Sequence, residues 1–489
     1  MSAPRRRLIA GVALAGLVAL AGGAPPAAAA ELPRAVGRAF LDQGVPLNRV
    51  AIVVQEVDKL QPLFTLDPDR PMNPASVMKL VTTYAALDLL GRAYRWKTEA
   101  YLGGPLTRGT LKGDLILKGY GDPKITVEQW QAFMDALRRA GLDRIDGDLA
   151  LDRSYFALPE HDAALFDHEP LKPYNVGPDA LLVNFKSVRF VFTPDAAATG
   201  VKVVAEPALA DVAVGPPPPL GASDCGDWRS AVGATFVNDA ARAQITFGGR
   251  YPATCGEREW WVALLDHPHY VHGIFTALFR DAGGAFAGGV REGRAPRGSA
   301  PFATLESPPL YDIVRDVNKL SNNVMAQQIF LTLATTSAPP PATPAKASDA
   351  VKRWLRGHGI AIPGLVIENG SGLSRKERIS ARGLARLLLA ADKSPVRDEF
   401  ASSLAVAATD GTVARRFQNG TVAGQALLKT GTLEGVRALA GYVIDAQGRR
   451  FAVAALVNHA NAARAAPALD HLVQWVYENG ATWDASQQR

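Results

Sequence analysis

Residues 73–80 read Asn73-Pro74-Ala75-Ser76-Val77-Met78-Lys79-Leu80 and lead into an apolar helical pattern that extends to Leu90. A proline-bearing turn precedes the pattern and Gly91 follows it, which predicts a helix that begins at about Ser76. Residues three apart share one face of a helix, so the Lys79 amine is expected beside the Ser76 hydroxyl. A lysine whose pKa is lowered by burial or by another cation can take the serine proton. Backbone N–H groups at the helix start would favour negative charge on the attacking oxygen.

By itself the Ser-x-x-Lys pattern is weak evidence for a nucleophile. Chance alone gives roughly even odds of one occurrence in a chain of this composition. An ordinary helix start with a solvated lysine is the alternative interpretation, and the rest of the sequence must decide between the two.

The first 30 residues have the pattern of a secretory signal peptide. Arg5 to Arg7 form a charged head, residues 8–20 an apolar segment, and residues 28–30 a small-residue cleavage site. The apolar segment is too short, and too rich in Ala and Gly, for a comfortable membrane span, although an uncleaved anchor helix is the alternative. The tail, residues 482–489, is polar, so no stable membrane anchor is expected there. We therefore predict a soluble protein exported to the periplasm of a two-membrane bacterium.

Composition favours a soluble enzyme-sized globular protein. Of the 489 residues, 48% are apolar and 20% are charged, and the formal net charge is +6. Removing residues 1–30 takes away three arginines and no acids, which leaves +3, so no nucleic-acid partner is expected. Cys225 and Cys255 are the two cysteines of the chain. In an exported chain such a pair predicts one disulfide, closing a loop of about 30 residues.

Secondary-structure patterns divide the chain into two kinds of sequence. Helical and strand patterns alternate at both ends, whereas residues 97–300 show mainly short strand patterns separated by turns. We predict an α+β fold in which residues 31–96 and 301–489 form one domain and residues 97–300 form a β-rich insertion of one or two subdomains. Residues 337–348, rich in Pro and Ala, are predicted to be a loop.

Two more short motifs lie in the C-terminal half. Ser321-Asn322-Asn323 interrupts a helical pattern and offers a hydroxyl and a carboxamide from one turn. Lys429-Thr430-Gly431-Thr432 ends a buried strand pattern, where glycine allows close backbone approach and a cation with hydroxyls can bind an anion. Each motif alone could be a chance match or an ordinary strand end. Their joint occurrence with Ser-x-x-Lys, in this order, is far rarer.

The three motifs resemble those of the penicillin-binding-protein and serine β-lactamase superfamily. The first two are 321 − 76 = 245 residues apart, which is similar to the D-alanyl-D-alanine carboxypeptidase/endopeptidase family of penicillin-binding protein 4 type, with its large insertion at this point. Asn369 stands where that family leads us to expect aspartate, and Glu434 where some relatives have glutamine. Further stretches resemble the family: residues 117–123, 147–156, 178–184, 369–375 and 410–412.

The resemblance implies a penicillin-binding/β-lactamase-like transpeptidase domain, an antiparallel sheet flanked by helices, that forms an acyl-enzyme on Ser76. Lys79, kept partly neutral by nearby Lys429, would be the base. Ser321 would pass a proton to the leaving amine, and Asn323 would hold the substrate amide and the Lys79 amine. The resemblance implies no cofactor and no metal.

Substrate binding is also implied by the resemblance. Lys429 with the hydroxyls of Thr430 and Thr432 would bind the terminal carboxylate of the substrate beside Gly431, and backbone N–H groups of Ser76 and Thr432 would form the oxyanion hole. Arg375 is a candidate substrate-side cation, with a solvated loop arginine as the alternative. The implied partners are peptidoglycan stem peptides, with β-lactam antibiotics as covalent inhibitors. Whether carboxypeptidase or endopeptidase activity dominates stays open.

Three rival functions remain. A serine β-lactamase of class A needs a Glu-x-x-x-Asn segment for deacylation, and none occurs in this chain, so slow release of penicillin is expected. A zinc hydrolase is suggested by His267, His269 and His272, but no acidic ligand follows at a standard spacing, which favours a polar surface loop. A non-catalytic cell-wall-binding protein is disfavoured by the intact motifs.

Overall fold

The structure of the protein is a computed structural model that describes residues 32–195, 200–418 and 420–483. The predicted signal peptide, residues 1–30, lies outside these ranges, as does most of the polar tail, residues 484–489. Within the described ranges, no helix combines the length and the apolarity that crossing a membrane requires.

Eleven α-helices lie within the described ranges, and short 3₁₀ turns join several of them. Their bounds are α1 Arg34–Asp42, α2 Lys79–Leu90, α3 Val127–Arg139, α4 Trp228–Val232, α5 His267–Asp281, α6 Leu310–Leu320, α7 Asn323–Leu333, α8 Pro344–Gly357, α9 Ala381–Asp392, α10 Arg397–Ser403 and α11 Ala466–Asn479.

The strands of the described residues are β1 Val50–Glu56, β2 Phe64–Leu66, β3 Lys97–Leu102, β4 Leu106–Thr107, β5 Thr110–Leu111, β6 Leu115–Gly119, β7 Arg144–Ile145, β8 Leu149–Asp152, β9 Val188–Pro194, β10 Val201–Glu206, β11 Val212–Val214, β12 Leu220–Gly221, β13 Ala234–Asn238, β14 Ala243–Phe247, β15 Tyr251–Pro252, β16 Arg258–Val262, β17 Ala285–Phe286, β18 Val290–Glu292, β19 Ala303–Glu306, β20 Ala405–Val406, β21 Ala426–Leu433, β22 Val436–Ile444 and β23 Arg450–Asn458.

Strands from both ends of the chain form one six-stranded antiparallel sheet in the order β2-β1-β23-β22-β21-β20. The long apolar runs of β1, β22 and β23 are buried on both faces because helices cover both sides of the sheet. Along β1, Ala51 and Val53 pack in the cluster that includes α2 and α9, whereas Ile52 and Val54 pack in the cluster that includes α1 and α11. This alternation follows from the two-residue period of a strand. The predicted α+β fold is confirmed.

Helix α2 is buried over most of its length. Residues 79–87 are all buried, because the helix is apolar on every side and is packed among α6, α7, α8 and α10. The Tyr84 and Trp354 rings meet edge to face with their centroids 5.0 Å apart. Lys79 is the charged exception in this run, so its amine is held in an apolar environment by the helix that carries it.

The middle of the chain is rich in β-structure, as predicted. Its strands form five smaller sheets, whose apolar side chains make a hydrophobic cluster of their own with α3 and α5. Strand β19 pairs with β3, so the chain enters and leaves this region on neighbouring strands of one sheet. The domain limits at residues 97 and 301 stay predictions. The strand orders are β18-β8-β6-β3-β19, β17-β7-β5-β4, β10-β9-β16, β11-β14-β13 and β12-β15.

Cys225 and Cys255 form a disulfide within the β-rich region, which confirms the predicted pairing. One loop prediction is wrong: residues 337–348 are not a continuous loop, because α8 already begins at Pro344. Thr343 caps this helix by accepting the Lys346 N–H at 3.2 Å, and proline at the first helical position needs no N–H partner. The Pro-rich composition suggested a loop, although Thr343 and Pro344 are residues that favour a helix start.

Candidate active site

Ser76 lies in a 3₁₀ turn, Ala75–Met78, that leads directly into α2. Such a helix has three residues per turn, so the Ser76 and Lys79 side chains lie one above the other. The turn is strained, because Ala75 has a positive φ of 47°. Asn73 holds it in place by accepting the Ala75 N–H at 2.9 Å and donating to the Ser374 carbonyl at 2.8 Å. The predicted helix start is thus a 3₁₀ turn whose shape is held by the two hydrogen bonds of Asn73.

The Lys79 amine is fully buried and has three polar neighbours. Its Nζ lies 2.7 Å from Asn323 Oδ1, 2.6 Å from the Ser371 carbonyl and 2.9 Å from Ser76 Oγ. The first two oxygens can only accept hydrogen bonds. A neutral amine has two N–H groups and one lone pair, so when both N–H groups are used in this way the lone pair faces the Ser76 hydroxyl.

Burial lowers the pKa of Lys79 well below the ordinary lysine value. The charge of Lys429 acts in the same direction but is the smaller cause, and Glu377 opposes both. The predicted effect of Lys429 on the pKa of Lys79 is therefore present, but desolvation by the apolar surroundings of α2 is the larger cause. A lysine held neutral in this way can act as a base.

Ser321 and Asn323 come from the break between α6 and α7. Helix α6 ends at Leu320, and Ser321 takes the left-handed conformation with φ 60°. Asn322 then caps α7 by accepting the Met325 N–H at 3.0 Å. The break turns the Ser321 hydroxyl towards β21 and the Asn323 amide towards Lys79. Asn323 Nδ2 also donates to the Tyr174 carbonyl of the β-rich region at 3.2 Å.

Lys429 lies in β21 and is also fully buried. Its Nζ donates to Ser321 Oγ at 2.8 Å and to the Thr430 carbonyl at 2.9 Å. Burial lowers its pKa to about 7. The structure thus brings the three sequence motifs together: one contact set joins Ser76, Lys79 and Asn323, and a second joins Lys429 to Ser321.

Gly431 is the point at which β21 passes the serine turn. A Cβ atom at this position would lie 2.5 Å from the Pro74 carbonyl and 3.2 Å from the Ser76 backbone nitrogen. Any side chain here would therefore collide with the backbone that carries Ser76. Glycine is required for this close approach, which sets β21 at Gly431 against the Ser76 backbone.

The two threonines of the motif are held differently. Thr430 donates to the Thr412 hydroxyl at 2.8 Å, whereas Thr432 accepts from Arg437, which lies opposite it on β22. Sequence reasoning missed Arg437. The signal was available, because Glu434-Gly435 is a two-residue turn, with Gly435 at φ 69°, that sets Thr432 and Arg437 in register.

Arg375 lies at the edge of the site. Its guanidinium donates to the Glu434 carbonyl at 3.1 Å and stacks on the Phe166 ring of the β-rich region, 4.6 Å from the ring centroid. The structure gives it no hydrogen bond or ion pair with the serine, lysine and asparagine side chains of the three motifs within the described residues. It therefore bridges the turn after β21 to the insertion, and its predicted substrate-binding role stays a prediction.

The histidine group does not form a loop, so that part of the prediction is wrong: all three residues lie in the first turns of α5. His269 pairs with Asp266 at 2.7 Å and His272 with Asp211 at 3.0 Å. Burial lowers the pKa of His267 to about 4. Among the residues that the structure describes, no group of three metal-ligating side chains has the arrangement of a metal site.

A serine and a lysine on one buried helix start, a Ser-x-Asn break and a Lys-Thr-Gly strand at the edge of an antiparallel sheet define the class of penicillin-binding serine peptidases. The chain belongs to the D-Ala-D-Ala carboxypeptidase 3 (S13) family, whose model matches residues 33–478. The match confirms the predicted family and the prediction of a serine-type D-Ala-D-Ala carboxypeptidase.

Individual relatives agree with the family assignment. A D-alanyl-D-alanine carboxypeptidase of Actinomadura sp. is 30% identical over 417 residues, covering 81% of this chain and 75% of the relative. D-alanyl-D-alanine carboxypeptidase DacB of Haemophilus influenzae is 24% identical over 418 residues, covering 84% of this chain and 85% of the relative.

The fold is similar to a solved structure. The crystal structure of penicillin binding protein 4 from Haemophilus influenzae superposes with a TM-score of 0.75 and 23% identity, covering 91% of this chain and 100% of that one. A second structure of that protein is complexed with a β-lactam and has a TM-score of 0.71, with 22% identity over 91% of this chain and 99% of the other.

Proposed function

We propose that this chain hydrolyses D-Ala-D-Ala peptides through an acyl-enzyme on Ser76. One observation carries the proposal: the buried Lys79 amine lies 2.9 Å from Ser76 Oγ, with its two N–H groups taken by Asn323 Oδ1 and the Ser371 carbonyl. In that arrangement the amine can only accept the Ser76 proton. The family assignment supports the same reaction.

Acylation then proceeds through a series of linked proton transfers. Ser76 Oγ attacks the carbonyl carbon of the penultimate D-Ala while its proton passes to Lys79 Nζ. The C–N bond breaks, and the leaving amine takes a proton from the Ser321 hydroxyl. Ser321 regains a proton from Lys429 Nζ, which donates to it at 2.8 Å, and Lys79 returns its extra proton to Lys429. The backbone N–H groups of Ser76 and Thr432 would bind the oxyanion, at about 3–4 kcal/mol for each donor. Water finally releases the acyl group and restores the serine.

Recognition of the terminal carboxylate is assigned to the end of β21. Beyond Leu428 this strand pairs only with β22 within the described residues, because β20 ends its pairing at Leu428. The open edge could pair with an extended peptide. Lys429 supplies the cation, and Thr432 can donate its own hydroxyl proton because its oxygen already accepts from Arg437.

The first experiment is product analysis. A pentapeptide that ends in D-Ala-D-Ala should release one D-Ala per molecule, and Ser76→Ala should abolish release. Ser402→Ala is the matched control, because Ser402 is exposed and its hydroxyl donates to carbonyls of its own helix, α10. Full activity of Ser76→Ala would overturn the assignment, because it would show that Ser76 is not the nucleophile.

A cross-linked muropeptide in the same assay separates carboxypeptidase from endopeptidase activity. Both reactions cleave a bond on the carbonyl side of the same D-Ala residue, so we propose that the one site performs both. Release of monomeric muropeptides at a rate comparable with D-Ala release is the expected result. Loss of only the terminal D-Ala would restrict the enzyme to carboxypeptidase activity.

β-Lactams should inhibit the enzyme by forming a stable adduct on Ser76. The chain has no Glu-x-x-x-Asn segment to activate a deacylating water in the manner of class A β-lactamases. Intact-protein mass spectrometry after exposure to penicillin should show one penicilloyl group per chain for hours. Rapid loss of the adduct together with penicillin hydrolysis would favour the β-lactamase alternative.

Export is proposed from residues 1–30. The expected mature protein begins at Glu31, is recovered from the periplasm and retains the single disulfide. N-terminal sequencing of the secreted form tests the cleavage site, and fractionation tests the location. Retention of residues 1–30 in a membrane fraction would favour the uncleaved anchor instead.

A further inference from the structure

A loop of residues 368–377 packs against the serine turn, Ala75–Met78. Its Ser371 carbonyl accepts from Lys79 Nζ at 2.6 Å, and its Gly370 carbonyl accepts from the Thr82 hydroxyl at 2.6 Å. A Cβ atom at Gly372 would lie 1.9 Å from the Ala75 carbonyl. The loop therefore contacts the turn that carries the nucleophile and one face of the lysine that would activate it.

Glu377 closes this loop from inside. Its side chain is fully buried, and Oε1 accepts the backbone N–H groups of Glu368, Asn369 and Gly370, each at 3.0 Å. Three converging N–H groups are a strong site for a carboxylate. The other oxygen, Oε2, is buried and has no hydrogen-bond partner among the described residues. The carboxylate thus joins the two ends of the loop and retains an unsatisfied acceptor in the interior.

The charge of this carboxylate acts on the catalytic lysine. Lys79 and Lys429 are both fully buried, and Glu377 is the acid that raises the pKa of Lys79. In the other direction, burial raises the pKa of Glu377, and the three N–H groups and Lys79 oppose that rise. Glu368 and Lys376, on the outer side of the loop, pair with each other at 3.2 Å.

Position 369 of the loop differs from the residue that the family resemblance leads us to expect. An aspartate is expected there from the family resemblance, but this chain has Asn369. Its Oδ1 accepts the Ser371 N–H at 2.9 Å and its Nδ2 donates to the Leu373 carbonyl at 2.9 Å, so it shapes the loop without adding charge. The loop would lack a buried negative charge if Glu377 did not provide one.

We propose that Glu377 is a positioning residue for the reaction assigned to Ser76: it fixes the Ser371 carbonyl on Lys79 and gives the loop that contacts Lys79 a buried negative charge. The inference rests on the proposed function. In the acylation step Lys79 gains a proton, and the carboxylate stabilises the ammonium that forms. Without it, the amine is a weaker base and its lone pair is less firmly directed at Ser76.

The test measures acylation by a fluorescent penicillin as a function of pH. Glu377→Gln keeps the size of the side chain and removes its charge, so the pKa of Lys79 should fall. The low-pH limb of the pH–rate profile should therefore move to lower pH, and the rate at neutral pH should fall by up to about tenfold for each unit of pKa lost. Glu368→Gln, on the exposed side of the same loop, is the matched control and should match the wild type.

Two further variants separate charge from loop structure. Asn369→Asp adds a carboxylate while Glu377 remains, so it should move the low-pH limb to higher pH. The double variant N369D/E377Q relocates the charge without shortening the side chain at position 377, and it should recover most of the acylation rate lost in Glu377→Gln. This rescue is not expected if Glu377 only holds the loop together.

The proposal is overturned if Glu377→Gln and Asn369→Asp both keep the wild-type pH profile, whatever their melting temperatures. It is also overturned if the double variant stays as slow as Glu377→Gln although it folds. Failure of the proposed function would look different. In that case the wild-type protein itself would carry no penicilloyl group on Ser76 in intact-mass measurements.

Discussion

Replacing Gly431 by alanine should disable the site without unfolding the protein. The new Cβ would lie 2.5 Å from the Pro74 carbonyl, 3.1 Å from the Ala75 Cβ and 3.2 Å from the Ser76 nitrogen. These atoms belong to the backbone or to a fixed Cβ, so none can rotate away. The strand and the serine turn must separate by about half an ångström or more before the contact is tolerable. Overpacking of this kind costs about 1–3 kcal/mol of stability.

The separation has a larger effect on catalysis than on stability. It moves the Thr432 N–H away from the Ser76 N–H, and removing one oxyanion donor costs about 10²–10³ in kcat. We therefore expect the acylation rate constant for a fluorescent penicillin to fall by about 10²-fold, with a fall of only a few degrees in Tm.

Gly357→Ala is the matched control for this substitution. Gly357 ends α8 and needs no left-handed conformation, and outside its own helix no heavy atom of the described residues lies within 4 Å of an added Cβ. It should acylate like the wild type. If Gly431→Ala acylates within about twofold of the wild type, the close approach of β21 to the serine turn is not needed for the oxyanion hole, and the assignment of its donors is wrong.

Three other predictions follow from the same geometry. Arg437→Gln should raise KM for peptides with a free terminal carboxylate by about tenfold and leave C-terminally amidated peptides unaffected, because the Thr432 hydroxyl loses the donor that orients it; equal losses on both peptides would refute a carboxylate role. Burial lowers the pKa of Lys429 to about 7, so kcat/KM for free-carboxylate peptides should decline as pH rises through that value and the cation is lost; a profile that is flat from pH 6 to 9 would contradict this. Replacing Cys225 and Cys255 by serine should lower the free energy of unfolding by about 3–4 kcal/mol for a 30-residue separation, while acylation of the folded protein is unchanged; a specific loss of acylation would link the disulfide to the site.

The catalytic motifs were predictable because each is short and contiguous. Ser76 and Lys79 need only local helical spacing, and the Lys-Thr-Gly strand carries its own glycine. The β-rich region and the strand patterns of β22 and β23 followed from turn spacing and apolar runs, whereas the antiparallel sheet was implied only by the family resemblance. Local patterns of this kind are set by backbone geometry within a few residues, and a single sequence contains them.

The supporting residues were not predictable, because their roles depend on distant contacts. The Ser371 carbonyl meets Lys79 across 292 residues of sequence. Glu377 looks like an ordinary loop glutamate until its burial is known, since an exposed glutamate is by far the commoner case. Arg437 could have been found from the Glu434-Gly435 turn, but only by working out the hairpin register.

The same burial that activates the site should also weaken the fold. Lys429 has a pKa of about 7 in the folded protein, against 10.5 as the ordinary lysine value. Between these two values the unfolded chain binds the extra proton, so the contribution of Lys429 to stability rises with pH in this window and is least below pH 7. Lys429→Met, which fills the same space without an amine, should raise Tm at pH 6 by about 2–4 °C for each kcal/mol of burial cost that it relieves. It should also abolish acylation.

Lys393→Met is the matched control for this variant, because Lys393 is exposed and follows the end of α9. It should change neither Tm nor acylation. A Lys429→Met protein that melts lower than the wild type at pH 6 would show that the buried amine stabilises the fold. A Lys429→Met protein that still acylates would show that catalysis does not need the amine. Either result would contradict the proposed conflict between stability and catalysis. That conflict is expected because the apolar surroundings that lower the pKa of the lysine also oppose its charge in the folded protein.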